Sequence, residues 1–101
     1  DVVFHSPILF KPQPGKALTS MYLHAAFEVL VNNSFHYVRE VLDQNNAVLE
    51  FVATVDGIEI NGVDMIRWND SGLIIDFKVM LRPMKAIEKL REKMAAKLAS
   101  M

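Results

Sequence analysis

Between Asn61 and Pro83 two apolar runs flank the polar tetrapeptide Asn69-Asp70-Ser71-Gly72. Period-two alternation about such a turn predicts a long β-hairpin, with Gly72 closing a type I turn with a bulge. On its first strand Asp64, Ile66 and Trp68 share one face, while Val63, Met65 and Arg67 share the other. On its second strand Ile75, Phe77, Val79 and Leu81 form an unbroken apolar face, opposite the mixed set Ile74, Asp76, Lys78 and Met80. The apolar face is expected to line a core or pocket, and the mixed face to meet water or a partner subunit. Pro83 ends the strand because it has no ladder donor.

The remaining pattern runs strand, helix, antiparallel meander, helix. Asp1 to Phe10 opens on a strand, DVVF, and Lys11 to Gly15, with two prolines, reads as a loop. From Lys16 to about Val31 the spacing is helical, through Leu18, Met21, Tyr22, Ala25, Ala26 and Val29, and Asn32-Asn33-Ser34 stops it. Phe35 to Leu42 is a strand with two candidate inner faces, Phe35-Tyr37-Arg39-Val41 or His36-Val38-Glu40-Leu42. After the turn 43–46, Leu49, Phe51, Ala53 and Val55 share a face. Asp56-Gly57 then signals a two-residue hairpin into the strand that starts at Ile58. Met84 to about Ser100 is helical, with the stripe Met84, Ile87, Leu90, Met94 and Leu98 and a charged remainder that reads as a solvated face. Antiparallel strands with helices on one side indicate an α+β domain, and a curved sheet of this kind needs a helix on its concave face.

With 101 residues the chain is expected to form a single domain, and 51% hydrophobic with 23% charged residues is a globular composition. A net charge of −1 argues against nucleic acid as a partner. No apolar run reaches the ~18 residues of a membrane span, and no signal peptide is visible, so a cytoplasmic protein is expected. The chain has no cysteine, which excludes disulfides and thiolate chemistry.

Asp64 is the leading chemical candidate. A carboxyl on an apolar strand face is desolvated, its pKa rises, and such groups cluster at functional sites. The competing reading is a structural aspartate bonded to Tyr22, Trp68 or backbone. His5, His24 and His36 show no metal-ligand spacing, and no metal or other cofactor is implied. His5 should point away from the pocket, opposite to Phe4 and Ser6. His36 is a general-base candidate if its strand face is the concave one, and otherwise a surface or dimer-contact histidine. Ser6 has no evident triad partner and no nucleophile-elbow glycines. The four glycines read as turn residues and form no phosphate loop.

The segments DVVFHSP, PGKALTSMYLHAAF, FVATVDG, NGVDMIRWNDSGLIIDFKVMLRP and the closing helix, taken together, resemble the NTF2-like superfamily. The resemblance is greatest to its SnoaL-like branch, small bacterial proteins related to polyketide cyclases and ketosteroid isomerase. It implies a cone: a strongly bent, mostly antiparallel sheet wrapped by helices around an apolar pocket. Relatives usually carry a further N-terminal helix before the strand that Asp1 opens, and that helix is expected to be missing here. By comparison with ketosteroid isomerase, Asp64 falls where that enzyme holds an oxyanion with a protonated aspartate. Its general-base aspartate falls on Ser6, and a serine cannot abstract that proton unaided. The resemblance therefore does not extend to steroid isomerisation by the same mechanism.

In such a cone, Asp64 and His36 are the expected catalytic groups. Ser6, Phe10, Tyr22, Phe51, Ala53, Ile66, Trp68, Phe77 and Val79 are the expected ligand-binding wall. Two functions follow. One is a pocket protein for a small, largely apolar cyclic ligand, as an isomerase, cyclase or dehydratase. The other is a non-catalytic dimeric binding or assembly module. Either way a homodimer is expected through the outer sheet face, where Val52, Thr54, Ile74, Asp76, Lys78 and Met80 are too apolar for open water.

Overall fold

Two tight turns set the register of the sheet. Asp56 and Gly57 both have positive φ, 50° and 78°, as a two-residue type I′ hairpin requires. At the other end Gly72 N donates to Asn69 O, and Asn69 N donates to Leu73 O, both at 2.9 Å. A computed structural model of the chain describes residues 2–7 and 11–99. It contains strands β1 (Val3–His5) and β2 (Gln13–Pro14), helix α1 (Lys16–Leu30), strands β3 (His36–Leu42), β4 (Asn46–Val55), β5 (Ile58–Trp68) and β6 (Ile74–Arg82), and helix α2 (Met84–Ala99). The segment expected to be a loop thus contains a two-residue strand.

The fold is α+β. The strands form one sheet in the order β2-β1-β6-β5-β4-β3. The meander β3 to β6 is antiparallel, and β1 joins it by pairing parallel to β6, Phe4 beside Phe77. On the face away from the helices, His5 Nε2 lies 2.8 Å from Asp76 Oδ1.

The inner face of β3 follows neither simple alternation. Tyr37 stands opposite Phe51, then the register shifts, so that Arg39 stands opposite Glu50 and Glu40 opposite Leu49. One extra residue in a strand inverts every later side chain. Phe35 and Tyr37 therefore share the inner side with Phe51, while His36, opposite Val52, is on the outer side. His36 is exposed, and its Nδ1 lies 2.9 Å from Ser34 O.

Both helices pack on one side of the sheet around a core of Ala25, Val29, Leu30, Phe51, Val55, Ile60, Ala86, Leu90 and Met94. In α2 the docked row is Ala86, Leu90 and Met94, spaced by four. Met84, expected in the stripe, is 80% exposed. At 100° per residue it lies on the far side of the helix from Ala86. In α1 the expected Met21 is likewise exposed, and Thr19 is buried instead. Asp56 in the β4–β5 turn meets Lys93 at 2.8 Å and Lys89 at 3.7 Å, which holds α2 against the end of the hairpin. The hydrogen bond from Lys93 keeps that carboxyl below its usual pKa.

Leu90 is 1% exposed, so Leu90→Ala should cost ~2–5 kcal/mol, the range for a leucine deleted from a core. Met84→Ala should cost under ~0.5 kcal/mol. Denaturant melts of the two variants check the assignment, and equal losses would refute it.

Candidate pocket site

The site begins with an aromatic ring seated on a glycine. Phe51 in β4 pairs with Gly62 in β5, and a Cβ on Gly62 would come within 2.3 Å of the Phe51 ring and 2.6 Å of Leu81. With no side chain there, the Phe51 ring lies over Gly62 and stacks on Phe35, ring centroids 5.2 Å apart. Above this layer, between the sheet and the helices, is an apolar cavity of about 70 Å³. Strands contribute Phe4, Tyr37, Phe51, Phe77 and Val79 to its wall, joined by Ser6 after β1 and Phe35 before β3. Leu23, Ala26, Phe27 and Leu30 of α1, with Leu90 and Met94 of α2, close the other side. Phe27, Val31 and Tyr37 are exposed and form its rim.

Asp64 supplies the one ionisable carboxyl in this wall among the described residues. It sits in the middle of β5, opposite Leu49 on one side and Val79 on the other. Its half-buried side chain has no hydrogen-bond or ion-pair partner among the described residues. The structural reading, a carboxylate bonded to Tyr22 or Trp68, is thus not what the structure shows. Desolvation pushes its pKa up from 3.8 to about 6. The second titratable group is Tyr37, raised above its ordinary value by partial burial, then by Asp64 and Glu40.

The structure brings Asp64, Ser6, Phe51, Phe77 and Val79 together in the wall, and leaves out His36, Tyr22, Ala53, Ile66 and Trp68. His36 is displaced to the outer face by its position in β3. Tyr22 lies one layer back, stacked on Phe4 at 5.8 Å. Ala53 is fully buried in the core, and Ile66, on the Asp64 face, lies beyond the cavity lining. The β5–β6 register shifts between Arg67 and Trp68, and Trp68 lines a separate cleft with Asn45, Asn69 and Asp70. Phe10 lies outside the described residues. Phe4, Phe27, Phe35 and Tyr37 are aromatic wall residues that the expected set lacks, and Tyr37 is the titratable one among them. Its signal was the aromatic pair Phe35-Tyr37 at strand spacing, obscured by the bulge that follows. The described residues include no group of three or more His, Asp or Glu side chains that could hold a metal ion.

No protein-family model matches the chain, and no curated protein does. Solved structures do. A steroid delta-isomerase from Pseudomonas aeruginosa is 43% identical, with a TM-score of 0.92, over 99% of this chain and 73% of that one. A bacterial protein of cystatin-like fold from Silicibacter pomeroyi is 34% identical, with a TM-score of 0.87, over 96% of this chain and 67% of its own. The chain belongs to the NTF2-like superfamily and shares a family with this steroid delta-isomerase. A SnoaL-like protein of the polyketide cyclase type from Jannaschia shares the NTF2-like fold at 12% identity and a TM-score of 0.65, covering 88% of this chain and 69% of its own. In this NTF2-like chain no helix is long and apolar enough to cross a membrane, among the described residues.

A carboxyl whose folded pKa is raised binds its proton more tightly in the native state. Asp64 therefore favours folding at low pH; the contribution weakens as pH rises past the unfolded value and reaches its full cost above about 6. After a discount for its partial exposure that cost is ~1–2 kcal/mol. Asp64→Asn should leave stability at about pH 7.5 equal or higher and flatten the profile between about pH 4 and 6. Chemical denaturation at both ends of that window checks it. A clear loss at the higher pH would mean that the carboxylate is ionised and well bonded.

Proposed function

We propose that the cavity binds a small, largely apolar molecule and that Asp64 moves a proton on it, in a reaction of the isomerase, cyclase or dehydratase type. The carrying observation is the desolvated, unpartnered carboxyl in an apolar wall, with a pKa of about 6. Proton transfer is most efficient when the catalytic pKa lies near the working pH. In its ionised form Asp64 takes a proton from the carbon between a carbonyl and a double bond, leaving a dienolate, and as the acid it returns that proton to the far carbon of the former double bond, so that the double bond moves into conjugation. The Tyr37 hydroxyl, in the same wall, is the donor available to the oxygen on which charge develops. At about 70 Å³ the enclosed space is well below the ~300–1,000 Å³ of drug-sized pockets, which favours a single ring or part of one.

Deuterium uptake by a cyclic ketone or enone in heavy water, followed by NMR, tests the reading. Asp64→Asn should lower the catalysed exchange ~100-fold or more, and Tyr37→Phe about tenfold. Exchange that survives Asp64→Asn would exclude Asp64 as the proton carrier.

We further propose that two copies pair through the outer sheet face. There Ile74 and Met80 are exposed, beside half-buried Val52, Asp76 and Lys78. Scattered polar groups among apolar ones suit a non-obligate contact. Light scattering at micromolar concentration should return twice the 11.4 kDa chain mass, and a monomer would refute the pairing.

A further inference from the structure

We propose that the preferred ligand of the cavity is a small hydrophobic ammonium ion, tertiary or quaternary, seated among the aromatic side chains with Asp64 as its counter-ion. The inference rests on reading the cavity as a ligand site anchored by Asp64, and adds the charge of the ligand.

The first support is an unbalanced charge. With a pKa of about 6, Asp64 at neutral pH is ionised in roughly a ten-to-one ratio. Buried carboxylates are ordinarily matched by a lysine, an arginine or several donors. Among the described residues this wall contains no lysine, arginine or histidine, and Asp64 accepts no hydrogen bond. A neutral ligand leaves the charge of the anion unpaired. A cation reverses that balance, because it pairs the charge where water is excluded.

The second support is the wall. Phe4, Phe27, Phe35, Tyr37, Phe51 and Phe77 supply six aromatic side chains to one small cavity. Ring faces carry negative potential, and aromatic enclosures are a recurrent solution for alkylated ammonium groups. The nearby titratable groups do not oppose a cation. Tyr37 and Glu40 of β3 are neutral or acidic, Ser6 after β1 is uncharged, and α1 and α2 present apolar side chains to the cavity.

The same wall argues against other cations. A divalent metal needs about six oxygen ligands, and one carboxylate does not supply them. A primary ammonium brings three N–H donors that mostly apolar walls leave unsatisfied. An alkylated ammonium has one donor or none. About 70 Å³ suits a trimethylammonium head whose substituent leaves past Phe27, Val31 and Tyr37 at the rim.

Choline and dimethylbutanol, its uncharged carbon isostere, differ chiefly in charge. Calorimetric titration of the intact chain at about pH 8 should show choline bound about tenfold more tightly or better. At about pH 4.5 that preference should vanish as Asp64 takes up its proton. This readout needs no variant. Asp64→Asn should abolish the preference at the higher pH. Equal binding of the pair at pH 8, or a preference indifferent to pH, would overturn the proposal. Cyclohexanone separates the two levels: its binding without a choline preference keeps the ligand site and removes the ammonium. No binding by any of the three removes both.

Discussion

The contact between Phe51 and Gly62 is the constraint on which the interior depends. A side chain on Gly62 would occupy the space where the Phe51 ring lies. Because the ring lies over Gly62, Phe35 can stack on it, Leu90 and Met94 can come down on the same cluster, and a void is left beside Asp64. Interiors are close-packed, so a void survives only where large rigid groups hold the surrounding elements apart. Here the rigid groups are phenyl rings. Core and pocket wall are consequently one set of residues.

That economy carries an electrostatic cost, which falls on Asp64. The rings that hold the cavity open are also what desolvates the carboxyl. An asparagine would fit the same strand position without a titration. The aspartate is therefore expensive to the fold in its ionised form, and ligand binding is the process that can recover the cost. The proposed proton transfer and the proposed ammonium recognition would use the same anion, one as a base and the other as a counter-charge.

Much of this was legible in the chain. The turns at Asp56-Gly57 and Asn69 to Gly72 carry their own chemistry, and the alternation in β4, β5 and β6 picks out Asp64, Phe77 and Val79 as inner residues. The parallel placement of β1 against β6 was not legible, because three residues of strand carry no record of a distant partner. The bulge after Tyr37 was not legible either, and without it neither candidate face of β3 could be chosen, which left Tyr37 and His36 as open alternatives. Trp68 reads as a wall residue by parity alone, until a register shift at the strand end moves it to another cleft. In α2 the four-residue spacing of Ala86, Leu90 and Met94 competes with the larger Met84 and Ile87, and a small alanine is easily passed over as a docking residue. The errors lie where alternation breaks at a bulge or where a docking residue is small.

The position of β3 governs how fast the cavity can exchange its contents. It is the terminal strand of the sheet, hydrogen-bonded on one edge, bulged, and exposed along all seven residues. Such elements open at small fractions of the global unfolding free energy, whereas the central strands β5 and β6 open only with the whole molecule. Asp64 thus sits on the slow, rigid part of the wall and Tyr37 on the fast, fraying part. On the proposed reading, opening of this strand would take the hydroxyl partner away from a bound molecule and leave its charged partner in place. Residence time would then follow the lifetime of one edge strand more than the strength of the anionic contact.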